Sequence, residues 1–108
     1  MRVYDTFGFS STNLEYVKDA LENCLGIRFV ARESSFRGDY YSHGEPFEKE
    51  QLLLQMNVDL EDGEPLHAKF SDYPVLLFVS DTDRSEQLAT LLQGTIKGCK
   101  LLKHEEIS

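Results

Sequence analysis

Pro74 opens an unbroken apolar run, Val75-Leu76-Leu77-Phe78-Val79, and no other stretch constrains the fold as strongly. A half-buried strand alternates apolar and polar residues, whereas a strand that is apolar at every position has to be covered on both faces. The run is therefore read as the central strand of a sheet, and the remaining segments have to supply its neighbours and its cover. Val3, Tyr4 and Phe7 alternate loosely over residues 2–7 and predict a first strand, broken by Gly8 and Ser10-Ser11. Thr12 and Glu15 have the spacing of a capping box. The helix they would open places Leu14, Val17, Leu21, Cys24 and Leu25 on one stripe and stops at Gly26.

Residues 27–33 alternate as a second strand, and the segment after it predicts a tight turn at Gly38 with a short strand through Tyr40 and Tyr41. Residues 51–58 set Leu52, Leu54, Met56 and Val58 on one face of a further strand. From Asp59 to Tyr73 there is no periodicity, and the segment reads as one long exposed loop; ordered loops of about 15 residues are usually functional. After the central run, Ser80 or Asp81 is positioned to cap a second helix carrying Leu88, Leu91 and Leu92 and ending at Gly94, and residues 99–103 form a closing strand. The expectation is a single α+β domain over residues 1–108: a two-layer sandwich of two helices on a mainly antiparallel sheet of about five strands.

Composition narrows the function classes. The chain has 108 residues, an apolar fraction of 41%, and no run approaching the ~20 apolar residues that span a bilayer. Its first residues do not form an apolar leader, so a cytoplasmic location without membrane contact is expected. Cys24 and Cys99 are too few and too far apart for a zinc cluster and read as small core residues. With 19 acidic and 11 basic side chains the formal charge is −8. Residues 45–64 carry Glu45, Glu48, Glu50, Asp59, Glu61, Asp62 and Glu64 against Lys49 alone, −6 of that total. Concentrated negative charge attracts basic partners. It argues against direct nucleic-acid binding, which needs a basic face.

No motif supplies a catalytic set. The apolar run ending in Asp81-Thr82-Asp83 resembles the first motif of haloacid-dehalogenase-type phosphatases, but only 25 residues follow Asp83 and they hold no paired Asp. The helix-opening role explains both aspartates more simply. Counted from Asn57 as a calcium loop, the glycine falls at the seventh position and Ala68 at the twelfth, so no EF-hand forms. His43, His67 and His104 lack a second ligand at metal spacing and read as solvated. No metal site, cofactor or catalytic residue is predicted, and the chain is not expected to be an enzyme. The candidate partner-binding residues are Asp39, Tyr40 and Tyr41, then Asp59, Glu61, Asp62 and Glu64 of the acidic loop, and Asp72 with Tyr73 at its far end. Tyrosines make efficient interface anchors, and the carboxylates suit a partner rich in Lys and Arg.

Three segments together, Phe36-Arg37-Gly38-Asp39-Tyr40-Tyr41, Leu54-Gln55-Met56-Asn57-Val58-Asp59 and Asp72-Tyr73-Pro74-Val75-Leu76-Leu77-Phe78-Val79, resemble small bacterial immunity proteins encoded beside polymorphic toxins of the contact-dependent inhibition type. The resemblance covers about residues 27–80. It implies a cytoplasmic antidote that binds a cognate basic toxin domain, a nuclease by expectation, and occludes its active site. The alternative expectation is a regulatory α+β module that senses a small ligand or a metal in the segment between Asp59 and Tyr73.

Overall fold

The computed structural model describes residues 2–34, 38–44, 49–58 and 62–107. In chain order the elements are β1 (Arg2–Phe9), α1 (Leu14–Leu25), β2 (Val30–Ser34), β3 (Gly38–His43), β4 (Gln51–Met56), a 3₁₀ turn (Ala68–Phe70), β5 (Val75–Ser80), α2 (Ser85–Thr95) and β6 (Cys99–Ile107). The strands make one sheet in the order β2-β3-β4-β5-β1-β6, with every neighbouring pair antiparallel. The α+β class holds. The sheet has six strands rather than about five, because the short strand expected at Tyr40 and Tyr41 runs the full length Gly38–His43 and pairs on both sides.

The apolar run takes the position its pattern demands. β5 lies between β4 and β1, and Val75, Leu76 and Leu77 are fully buried. One face of the sheet presents Phe7, Phe9, Leu52, Leu54, Val75, Leu77 and Val79, which pack with Val17 and Leu21 of α1 and Leu88, Leu92 and Ile96 of the α2 end. α1 lies against β4 and α2, and α2 against β6. Every second residue of β5 and β1 belongs to the opposite face. There Leu76 pairs with Gly8, and Phe78 with Thr6.

Helix boundaries follow local chemistry, with two departures from expectation. α1 is capped by Asn13, whose Oδ1 accepts from the Tyr16 N–H at 3.1 Å, and not by Thr12. Its C-terminus closes as expected on Gly26 in the left-handed conformation (φ 67°), which donates to the Glu22 carbonyl at 2.9 Å. The Phe29 N–H then donates to the Glu22 carboxylate at 2.8 Å, which delays β2 until Val30. Neither Ser80 nor Asp81 caps α2. The backbone turns at Asp81 (φ 57°), the Thr82 N–H extends the sheet by bonding the Val3 carbonyl at 3.2 Å, and the helix starts only at Ser85.

β1 and β6 carry one irregularity. Phe7 pairs with Leu101 and Thr6 with Lys103, leaving Leu102 as the extra residue of a bulge. Its side chain reaches the position a Cβ on Gly8 would occupy, 2.6 Å away. Among the described residues no helix is long and apolar enough to cross a membrane.

Candidate functional site

Most of the segment expected to be an exposed loop, residues 62–73, is built onto the sheet face that the helices leave open. Asn57, the residue after β4, is buried and organises it. Its Nδ2 donates toward the carbonyls of Phe70 (3.0 Å), Tyr73 (3.3 Å) and His67 (3.4 Å), while its Oδ1 accepts from the His67 N–H at 2.8 Å. Its own N–H donates to the Pro74 carbonyl at 2.8 Å, closing the base of the loop. Within this clamp the chain winds through the 3₁₀ turn, with Phe70 donating to His67 and Tyr73 to Phe70, both at 2.9 Å. The His67 ring then lies 5.3 Å from Phe78 and stacks beside Phe70 at 6.4 Å. The Tyr73 ring covers Gly8: a Cβ there would fall 2.6 Å from its Cγ, so only glycine admits this approach.

On this scaffold the acids point outward. Asp62, Glu64 and Asp72 are exposed, and Tyr73 is half-buried at the foot of the loop. Asp62 Oδ1 accepts the Glu64 N–H at 2.9 Å and stiffens the tip. Asp59 and Glu61 lie outside the described residues.

Tyr40 and Tyr41 do not act as a pair, since consecutive strand residues face opposite sides. Tyr40 lies on the loop side, half-buried, opposite Arg32 and Gln55. Tyr41 lies on the helix side, where its hydroxyl donates to Glu15, Phe29 meets its ring edge-on at 6.4 Å and the Lys18 ammonium stands 5.5 Å from its centroid. Asp39 is exposed on Tyr41's side and faces Glu33 across the β2–β3 pair. The loop side thus holds Tyr40, Tyr73 and the loop acids, while Asp39 and Tyr41 stand apart from them.

A second polar cluster was not visible in the sequence pattern. Asp5 occupies the helix-facing row Val3-Asp5-Phe7-Phe9, and its side chain has no exposure. Ser85, the first residue of α2, donates to Asp5 Oδ2 at 2.5 Å, and His104 Nδ1 sits 2.6 Å from Asp5 Oδ1. His104 Nε2 faces Glu106 at 3.6 Å. His104 is therefore engaged rather than solvated as expected. The hydrogen bond to Asp5, with the charges of Asp5 and Glu106, raises its pKa above the ordinary histidine value.

The three residue types match a Ser-His-Asp triad, but the geometry does not. A nucleophilic serine must hand its proton to the imidazole nitrogen that the aspartate does not hold. Here Ser85 Oγ donates to Asp5 and lies 3.2 Å from the same Nδ1 that Asp5 engages. The cluster is a polar tie between β1, α2 and β6.

A third group anchors the turn before α2. Glu50 takes a two-point contact from Arg84, with Nη2 at 2.7 Å and Nε at 3.0 Å, plus the Thr82 hydroxyl at 2.6 Å. Arg84's hydrogen bonds lead the causes that lower the Glu50 pKa. Asp81 stands next to this anchor with its Oδ1 buried and unbonded. Lys49 contacts Asp83 at 2.5 Å.

Cys24 and Cys99 are free thiols, and burial pushes Cys99 up to about 12, so it is a packing residue rather than a nucleophile. Among the described residues no three His, Cys, Asp or Glu side chains come together as a metal site. No protein-family model matches the chain, and no curated protein matches it as a relative.

Proposed function

We propose that this chain is a toxin-neutralising immunity protein, which acts by binding and occluding a basic toxin domain, most simply a nuclease, and not by catalysis. The observation that carries the reading is the anchored acidic loop. Asp72 stands exposed on the stretch from His67 to Tyr73 that the buried Asn57 clamps, and Asp62 and Glu64 stand exposed just before it, on a chain of net charge −8. A flexible acidic tail would pay ordering entropy on binding, whereas carboxylates on a pre-ordered loop pay less. Charge of this kind steers association and excludes wrong partners, and half-buried Tyr73 and Tyr40 on the same side supply contact area. Occlusion follows if these acids take the lysines and arginines with which a nuclease holds its phosphate backbone.

The test is co-expression with a basic toxin domain encoded beside this chain. The reading requires a stable complex, restored growth of cells producing the toxin, and loss of toxin nuclease activity in the complex. A toxin that remains active and fails to co-purify overturns it.

A further inference from the structure

The loop side also contains a cavity of different character from the acids around it. Strand register sets Phe78, Thr6 and Lys103 in one cross-sheet row on this face. The 3₁₀ turn stands beside that row, and between them lies a cavity of about 380 Å³ lined by His67, Ala68, Lys69, Phe70 and Lys103. That volume falls in the range of small-molecule sites, roughly 300–1,000 Å³.

We propose that this cavity binds a nucleoside monophosphate, and the inference is independent of the toxin reading above. Two features of the lining set the ligand class. His67 and Phe70 both line it, their rings 6.4 Å apart with an interplanar angle of 29°, so the lining is aromatic on that side, and aromatic side chains are what a base ring packs on. Lys69 and Lys103 bring two ammonium groups to a lining that contains no carboxylate among the described residues, in a chain of charge −8. Lys69 makes no ion pair with a described residue, and Lys103 pairs among the described residues with its exposed neighbour Glu105 at 3.2 Å, a contact that a phosphate would have to compete with. The His67 ring nitrogens form no hydrogen bond to a described residue, which leaves a further donor for a phosphate oxygen. The ligand is a mononucleotide and not a strand, because two lysines neutralise one phosphate group, whereas a polynucleotide needs a continuous basic track.

The experiment is titration of the intact protein with AMP, GMP, CMP and UMP, read by thermal shift and by the His67 ring proton resonances. Adenosine and inorganic phosphate are run as separate controls. At least one mononucleotide should stabilise the protein saturably and shift the His67 resonances, with adenosine and phosphate each weaker. The Lys69→Gln, Lys103→Gln double variant should weaken that mononucleotide about tenfold or more, and Phe70→Leu should reduce discrimination between nucleotide and free phosphate. These lysines are exposed, so the double variant should retain the wild-type melting temperature without ligand, and that is measured first. No saturable response to any of the four nucleotides, an equal response to phosphate alone, or binding unchanged in the double variant overturns the proposal.

Discussion

The two faces of this sheet are closed by different physics. On one, two helices bury Val17, Leu21, Leu88 and Leu92 against Phe7, Phe9, Leu54 and Leu77, all essentially without exposure. Each such side chain contributes roughly 1.5–3 kcal/mol by leaving water, and the total is spread over many residues. On the other face the cover is a loop whose geometry converges on one side chain, the Asn57 amide. A net hydrogen bond is worth only about 1 kcal/mol, yet a buried group left without its partner costs about 1–3 kcal/mol. The helix face is stable by redundancy, while the polar anchoring of the loop face converges on one residue. Binding segments are commonly drawn from the less stable parts of a fold, and here the exposed acids, Tyr73 and the lysine-lined cavity all lie on the loop side.

That contrast can be broken from either side. Leu77→Ala, in the centre of the helix face, should cost about 2–5 kcal/mol and lower the denaturant midpoint of the whole molecule. Asn57→Ala should cost about 1–3 kcal/mol, because it strands the His67 N–H and loop carbonyls. Its effect should be confined to residues 62–73, visible as loss of the chemical-shift dispersion of Tyr73 and His67 with the helix resonances unmoved. Gly8→Ala attacks the same face from beneath. The new Cβ would meet Tyr73 and Leu102, so a cost of about 1–3 kcal/mol is expected by urea titration, with the Tyr73 ring resonances moving toward those of an exposed tyrosine.

The polar tie gives a pH-dependent contrast. The His104 pKa is raised in the fold, so the folded state holds the proton more tightly than the unfolded chain. Its stabilisation is complete below the unfolded value near 6.5 and disappears as pH rises through the higher folded value. The stability gap between wild type and His104→Gln should be widest in mildly acid solution and narrow on going alkaline. A gap that is constant or widens with pH removes the imidazolium from the tie. The smallest effect on folding belongs to Asp62→Lys with Asp72→Lys: within about 0.5 kcal/mol, since both are exposed. If the proposed toxin partner is right, the same change should slow association with it and flatten its dependence on ionic strength.

Legibility in the sequence divides along the same lines. The central strand and α1 could be read from periodicity, because each pattern depends on neighbours two to four positions away, and the antiparallel arrangement was expected from the order of strands and helices. The loop could not, since Asn57 finds its partners 10, 13 and 16 residues downstream, where no periodic pattern points. The Asp5 tie is further removed, at separations of 80 and 99 residues; the one local sign was a carboxylate in an otherwise apolar row. Tyr40 and Tyr41 were grouped by adjacency in sequence, and the strand pleat separates them. The start of α2 lies later than the pattern predicts because Asp81 has the chemistry of a cap, while the backbone at that point still follows the sheet to Thr82. The acidity of the loop was plain from composition, but the cavity beside it was not, because Lys103 joins His67 and Lys69 only through the pairing of β6 with β1.

Amide hydrogen exchange under native conditions tests the separation of the two faces most directly. The N–H groups of His67, Phe70 and Tyr73 report on the loop, and those of Leu77 and Leu88 on the helix-covered core. The predicted result is two opening free energies in the wild type, the loop's well below the core's. In Asn57→Ala, loop protection should collapse while the core amides keep theirs to within the small change in global stability. A single opening free energy shared by Tyr73 and Leu77, or a variant that lowers both by the same amount, would contradict a separately hung loop face.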